Sequence, residues 1–506
     1  MKTTTAPLAP PVPDQANDHT LRAGRLGVIG IVFFVIAAAA PLVGMTGALP
    51  AAIVLGNGAA APGAYLLAGL TLLLFSVGYA AMSHQVTNSG AFFAYIGRGL
   101  GLHMGVGSAF TSLLAYLAIY LSLFGFFGGL MAEQMGGLPW WGWSLLAWAA
   151  VTWLSLRSVD VGANILGLLL GLEMLALVVT SVAIFAQGGP EGMNFAASFS
   201  PANILAGGLA GSAGIALAFA FASFVGFEAT AIYGEESIDP KRTVPRATYL
   251  AVGVITLLFA FTAFAIVTGL GASQAVDKVV AMSSVDGTPL ANPAAVLFTL
   301  ASTYVGDWMA SLMKSLVLSS LFAGLLAFQN SASRYLFALG RGGTLPAALS
   351  RVNRRGAPAA GSITTSVITL VVIALFALAG LDPVVNMFFW FSGIAVVSIL
   401  LIEILVCFAV IAYFRRENHG INTFQSLVAP LLAAAGLAVG LHLLMSRFGL
   451  LTGAVAEGVD PTTTAWGLSG LGWFMVALPF VAVVLGNVFA RFRHRDNADL
   501  IRDVIT

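Results

Sequence analysis

FAFASFVGFEATAIYGEE, residues 219–236, begins apolar enough for the middle of a bilayer and then places Glu228 directly after Gly226 and Phe227. An ionisable side chain at the centre of a membrane helix costs about 2.5–3.5 kcal/mol on insertion scales. Glycine beside it weakens the helix that carries the charge. The stretch therefore reads as an outer half-helix ending near Phe221, an unwound link through Ser223 and Val225, and an inner half-helix starting by Gly226 with Glu228 at its head. A helix broken in lipid leaves N–H and C=O groups without partners. That is tolerated only where protein or a polar cavity surrounds them.

The rest of the chain supplies the membrane. Of 506 residues, 59% are hydrophobic and 8% are charged, against about 25% charged in a soluble domain. A soluble globular protein is excluded. The expected fold is an all-α polytopic membrane protein with 12 transmembrane helices. Its apolar runs lie near 26–55, 64–82, 102–133, 140–156, 163–186, 204–233, 248–270, 309–337, 363–378, 384–414, 424–444 and 465–489, where crossing a bilayer core takes about 20 residues. Nineteen of the 22 Lys and Arg residues then fall in segments on the side of the N-terminus. Lys278 and Arg447 fall outside, and Lys314 lies within a span. Inner loops retain Lys and Arg, so both termini are expected in the cytoplasm and the chain in the cell membrane. Residues 1–21 are polar and proline-rich, expected as a disordered cytoplasmic tail without a signal peptide. A core over 22–416, two further spans within 417–490 and a cytoplasmic tail at 491–506 complete the division. The long outer loop 271–308 is expected to form short amphipathic pieces. A net charge of +1 gives no field for nucleic acid. The single cysteine, Cys407, reads as a small buried hydrophobe.

The first span mirrors the sixth. Its middle reads AAAAPLVGMTGALP, residues 37–50, where Pro41 removes a donor and clashes with the preceding turn. Gly44 and Gly47 add backbone freedom. Each of these two spans opens a block of five. An odd number per block inverts the second block relative to the first, and paired interrupted spans in matching positions mark a transporter binding site.

Three further segments carry a resemblance: TNSGAFFAYIGRGLG at 87–101, GFEATAIYGEESIDPKRTVPRA at 226–247 and NSASRYLFALGRGGTLP at 330–346. In order and spacing the chain resembles the amino acid–polyamine–organocation permeases, of the bacterial amino acid permease type, from about residue 26 to 416. The resemblance implies inverted five-helix repeats at about 22–187 and 203–416 with discontinuous helices 1 and 6. It implies an amino acid bound where those helices unwind, and helices 1, 2, 6 and 7 rocking against helices 3, 4, 8 and 9. Where that family usually carries Gly-Ser-Gly, this chain has Gly44-Met45-Thr46-Gly47. The candidate substrate-binding residues are Pro41, Gly44, Met45, Thr46, Gly47, Phe221, Ala222, Ser223, Phe224 and Gly226. Thr46 reads equally as a hydroxyl donor or a packing residue.

The charges inside spans are few. Glu228 is a proton-carrying gate or a structural carboxylate held by backbone and hydroxyls. Glu173, in LLLGLEMLALVV, takes a proton, helps to hold a cation or makes a packing contact. The family's sodium site between helices 1, 5 and 8 makes Ser331 and Ser333 its expected neighbours. Lys314 is expected to snorkel to the headgroups. Glu403 has no assigned role. Glu235, Glu236, Lys241, Arg242 and Arg246 form either an inner ion-pairing cluster or a solvated charge run. Tyr116, Phe389 and Trp390 are candidate gate aromatics. No Walker motif is present, and the six histidines are scattered without HExxH or a metal pair, so neither an enzyme nor a metal site is expected, and no cofactor. The expected function is proton-coupled uptake of an amino acid or related small amine. The alternative is an exchanger or facilitator of the same fold, with sodium as the rival ion. An embedded enzyme or sensor ranks lower, and the oligomeric state is not legible.

Overall fold

Where the chain breaks is decided by Pro41. A computed structural model describes residues 26–86, 91–157, 163–208, 211–232, 237–353, 356–417 and 420–505. The tail 1–21, residues 87–90 of the TNSG motif, Glu235, Glu236, Arg354 and Arg355 lie outside them. Helix α1 (Val28–Ala39) ends because the proline ring excludes helical geometry at the preceding residue. Ala40 turns left-handed at φ 43, and its N–H donates to the carbonyls of Ile36 and Ala37. The chain restarts at Pro41, a residue suited to the first position of a helix. It continues through Asn57 with two wide π-helical stretches, Gly44–Ala48 and Ala52–Asn57.

Twelve of the longer helices that follow are α2 (Ala61–Ser83), α3 (Ala91–Leu100), α4 (Leu102–Met135), α5 (Trp140–Ser155), α6 (Ala163–Gln187), α7 (Ala213–Phe224), α8 (Pro240–Leu270), α9 (Ala275–Ser283), α10 (Ala295–Tyr304), α11 (Asp307–Arg341), α12 (Ala359–Leu378) and α13 (Phe389–Arg416). Then come α14 (Ala429–Ser446) and α15 (Gly470–Ile505). Among the described residues there is no strand, only isolated bridges. Among the described residues nine helical stretches are long and apolar enough to cross a membrane, and the chain is a multi-pass membrane protein. The loop 271–308 folds into α9 and α10, the short pieces expected of it. The segment 491–506, expected as a tail, continues α15 as helical backbone to Ile505.

Helix α4 is the hub. It packs against α3, α5, α11, α13 and α15, while α8 lies along α1, α2 and α6. Small residues allow these approaches where lipid gives no hydrophobic drive between helices. A Cβ on Gly69 of α2 would lie 2.3 Å from Thr256 of α8. The most apolar window of α4 is 78% buried, against 28% for that of α15. Leu175 on α6, Leu378 on α12 and Phe492 on α15 are exposed, as lipid-facing residues are.

Candidate substrate and coupling site

The two interruptions meet. Helix α7 runs on to Phe224, and the link is Val225–Glu228, followed by a short turn at Ala229–Ile232. Ser223 is thus helical and Glu228 lies in the link, a shift from the sequence-based expectation. The cause is Gly226, whose φ of +116 belongs to glycine. A Cβ there would stand 2.7 Å from the Cβ of Ala38 in α1, so the sixth-span link seats directly on the end of the first half-helix. The first-span break is likewise at Ala40, and Gly44 and Gly47 are helical rather than unwound.

Glu228 is wholly buried. Its Oε2 accepts from the Gly226 N–H at 2.9 Å, and its Oε1 accepts from the Tyr116 hydroxyl at 2.9 Å. The Tyr79 hydroxyl donates to the Glu228 backbone carbonyl at 2.7 Å. The carboxylate thereby ties the link of the sixth span to α4, while Tyr79 ties it to α2. Hydrogen bonds to a charged group are worth about 1.5–3 kcal/mol each. Tyr335 of α11 packs on Tyr116 with ring centroids 5.2 Å apart, and Tyr95 of α3 on Tyr79 at 5.1 Å. Tyr79 and Tyr335 were missed in the sequence, where no local pattern separates them from other span tyrosines.

Beside this clasp lies an internal cavity of about 50 Å3, with room for a few waters. Its wall includes Ala38, Ala40, Val43 and Gly44 from the first span, and Ala222, Ser223 and Val225 from the sixth. Ile119 of α4, Phe328 of α11, and Phe388 and Ser392 of the tenth span also line it. Of the ten expected substrate residues, Gly44, Ala222 and Ser223 line it. Thr46 does not, because its hydroxyl donates back to the Leu42 carbonyl at 2.7 Å. Met45 is buried outside the wall, Pro41 begins the restarted helix, and Gly47 is set against Phe126 and Phe388. Phe221 turns to Gly440, Phe224 packs on Phe259 at 5.5 Å, and Gly226 is part of the link. Ser223 is held by the Tyr65 hydroxyl at 3.1 Å.

Of the gate aromatics, Tyr116 holds Glu228. Phe389 backs the cavity through Phe388 at 5.3 Å and Phe219 at 6.0 Å. Trp390 points away, its indole N–H donating to the Thr452 carbonyl at 2.7 Å.

Glu173 is buried and faces Ser319 and Ser320 of α11, with Oε2 lacking a hydrogen-bond partner among the described residues. Ser331 and Ser333, expected beside it, are not. Ser331 follows Ser320 by eleven residues of one continuous helix, about 17 Å along its axis. Lys314 is exposed. It lines a cavity of about 870 Å3 with Glu133, Asn292 and Asp307, where the Asn292 amide donates to Glu133 at 2.5 Å.

A multi-pass protein whose two interrupted helices meet around a buried cavity is a membrane solute transporter. The amino acid permease family model matches residues 30–494. The chain belongs to that family and is a transporter of amino acids rather than an enzyme, as the resemblance in its motifs implied. It is 24% identical over 394 residues to an uncharacterized transporter, lpg1691, of Legionella pneumophila, covering 74% of this chain and 80% of that one. It is 26% identical over 351 residues to the branched-chain amino acid permease BcaP of Lactococcus lactis, covering 64% and 70%. With the amino-acid permease GAP5 of Candida albicans it shares 24% identity, covering 76% and 62%.

Proposed function

We propose that the chain carries neutral amino acids with small or branched apolar side chains across the cytoplasmic membrane, coupled to protons, by alternating access. The observation that carries this reading is the cavity wall. Alanine, valine, leucine, isoleucine and phenylalanine line it with two serines, and no charged side chain does. A cationic substrate would leave its charge unmatched there. The printed name of one relative, a branched-chain amino acid permease, agrees with such a pocket. The substrate carboxylate is met by the N–H groups freed at the restart after Pro41, and its ammonium by the carbonyls ending α7.

The architecture proposed with this reading is twelve spans in two inverted five-span repeats plus two, with both termini cytoplasmic. The described helices accommodate that count once α7 with its following turn, α5 and the broken first span are each taken as one span. The cavity of about 50 Å3 is smaller than an amino acid, and in this reading substrate entry moves the first and sixth spans against α4 and α11. Glu228 supplies the coupling. As an anion it receives two donors at once. A protonated carboxyl carries a donor of its own and holds them less well. Protonation thus loosens the link, and loss of the proton re-forms the clasp.

Glu173 supports a second coupling ion. Among the described residues its Oε2 and the nearby Ser320 Oγ have no hydrogen-bond partner, and such oxygens are of the kind that hard cations take. Uptake that requires sodium with no imposed pH gradient would select it.

The experiment is uptake by the purified chain in proteoliposomes, with a panel of labelled amino acids and amines, with and without an inside-alkaline gradient. Valine, leucine and alanine are expected to accumulate, and Glu228→Gln to lose gradient-driven accumulation while keeping exchange. Unchanged accumulation in that variant removes Glu228 from the mechanism. Exchange that survives without any gradient-driven accumulation in the parent chain identifies an exchanger.

A further inference from the structure

A second cavity gathers opposite charges that do not pair with one another. It holds about 870 Å3, against about 50 Å3 at the centre, and no residue lines both. The end of α4 supplies Glu133, and α10 supplies Ser302 and Thr303. The first turns of α11 supply Asp307, Ser311, Lys314 and Ser315, which fall on one face of that helix by their spacing. Lys314 precedes Phe328, the α11 residue of the central wall, by about 21 Å along the axis.

Each acid has a neutral donor. The Asn292 amide donates to Glu133, and the Ser302 hydroxyl donates to Asp307. A carboxylate accepts about four such bonds, so both keep capacity for a further donor. Lys314 is not that donor: among the described residues no ion pair joins it to Glu133 or to Asp307. Its Nζ stands 5.9 Å from the centroid of the Phe298 ring. Side chains tilt toward the N-terminus of their helix, so Lys314 leans toward Asp307, about 10 Å along the axis. Two more atoms of the wall residues, Gln134 Nε2 and Asn292 Oδ1, are buried with no hydrogen-bond partner among the described residues. A lysine that only snorkels over apolar surface needs none of these groups. Opposite charges held apart around a space of small-ligand size suit a guest that carries both signs.

We propose that this cavity binds a zwitterion, a primary ammonium beside an acid group, with the ammonium at Glu133 and Asp307 and the acid group at Lys314. The two carboxylates oppose a lone anion, and Lys314 opposes a lone cation. A free amino acid has this chemistry, and so has the ethanolamine phosphate headgroup of a lipid. A quaternary ammonium has no N–H to donate to the carboxylates and gains less there. The proposal is independent of the substrate class assigned to the central cavity.

The test uses the purified full chain. Labelled L-valine bound per chain is counted in detergent. Bound lipid is weighed by native mass spectrometry after exchange into phosphatidylethanolamine or phosphatidylcholine. If the guest is a free amino acid, the parent holds a valine equivalent that survives Ser392→Val. Lys314→Gln is expected to weaken it about tenfold or more, the loss of one charge-assisted contact, and Lys314→Arg to keep it. If the guest is a lipid, phosphatidylethanolamine stays bound and phosphatidylcholine does not, with the same dependence on Lys314. Either pattern upholds the site. Binding that is unchanged in Lys314→Gln overturns it. A parent with neither a valine equivalent independent of Ser392 nor a preference for the ethanolamine lipid overturns it as well, even if Lys314→Gln fails to fold. Valine binding confined to the Lys314-dependent equivalent upholds this site and overturns the reading of the central cavity instead.

Discussion

Gly226 and Glu228 form one device. The glycine supplies a backbone conformation that no other residue adopts cheaply, and the carboxylate two residues on caps the N–H that this conformation exposes. Gly226→Ala would place a Cβ 2.7 Å from that of Ala38 at a φ of +116. It is expected to cost about 1–3 kcal/mol, seen as a lowered melting temperature of the detergent-solubilised chain, together with loss of valine uptake. A variant of unchanged stability and uptake would show the link to be a passive turn. Glu228 was legible as an anomaly because charge inside a span is rare. Its partners were not, since Tyr79 and Tyr116 lie more than a hundred residues away in the chain.

At the scale of elements, both breaks were visible in composition, but their positions moved by a few residues. Pro41 stops α1 at Ala39, ahead of the glycines at Gly44 and Gly47, and Ala40 takes the left-handed turn. In the sixth span the helix persists through Ser223 because its hydroxyl is satisfied by the Phe219 carbonyl at 2.8 Å. Outside the spans, Glu191 accepts from the Ser273 hydroxyl and from its N–H at 3.0 Å. It thereby fastens the segment after α6 to the one after α8. These hydrogen bonds hold the Glu191 carboxyl below the usual carboxylate range. A depressed folded value means that the clasp is complete above the ordinary carboxylate range and is lost as pH falls through the lowered value. Hydrogen exchange at the Ser273 amide is expected to speed up on that acidification, and to be fast at all pH values in Glu191→Ala. Equal protection in parent and variant would show that the contact carries no order.

At the scale of the molecule, five spans contribute to one cavity, so its shape is a property of packing. Ser392 on α13 faces Ala222 and Ser223 across it. Ser392→Val adds apolar bulk to a space of about 50 Å3. Transported side chains differing by a methylene are typically discriminated by about 1–3 kcal/mol. Valine uptake is therefore expected to fall about tenfold or more relative to alanine. Competition between the two labelled amino acids measures the ratio, and an unchanged ratio would place the substrate elsewhere. A peripheral surface so apolar on α6, α12 and α15 needs lipid, and hydropathy alone had already said so.

The sequence by itself determined the class of fold, the membrane, the two weak points and the rare buried charges. Each of these is a local or compositional property: hydropathy over one span, a proline, a glycine next to a carboxylate. Only the tertiary structure decided that the weak points touch at Ala38 and Gly226, that Tyr116 and Tyr79 hold the link, and that Thr46 satisfies itself. Only it moved Glu173 from Ser331 to Ser319 and Ser320 and left Glu403 without a hydrogen-bond partner among the described residues. Partners across the core are chosen by how helices rotate and slide against one another, and helical periodicity fixes a face without naming what lies opposite it.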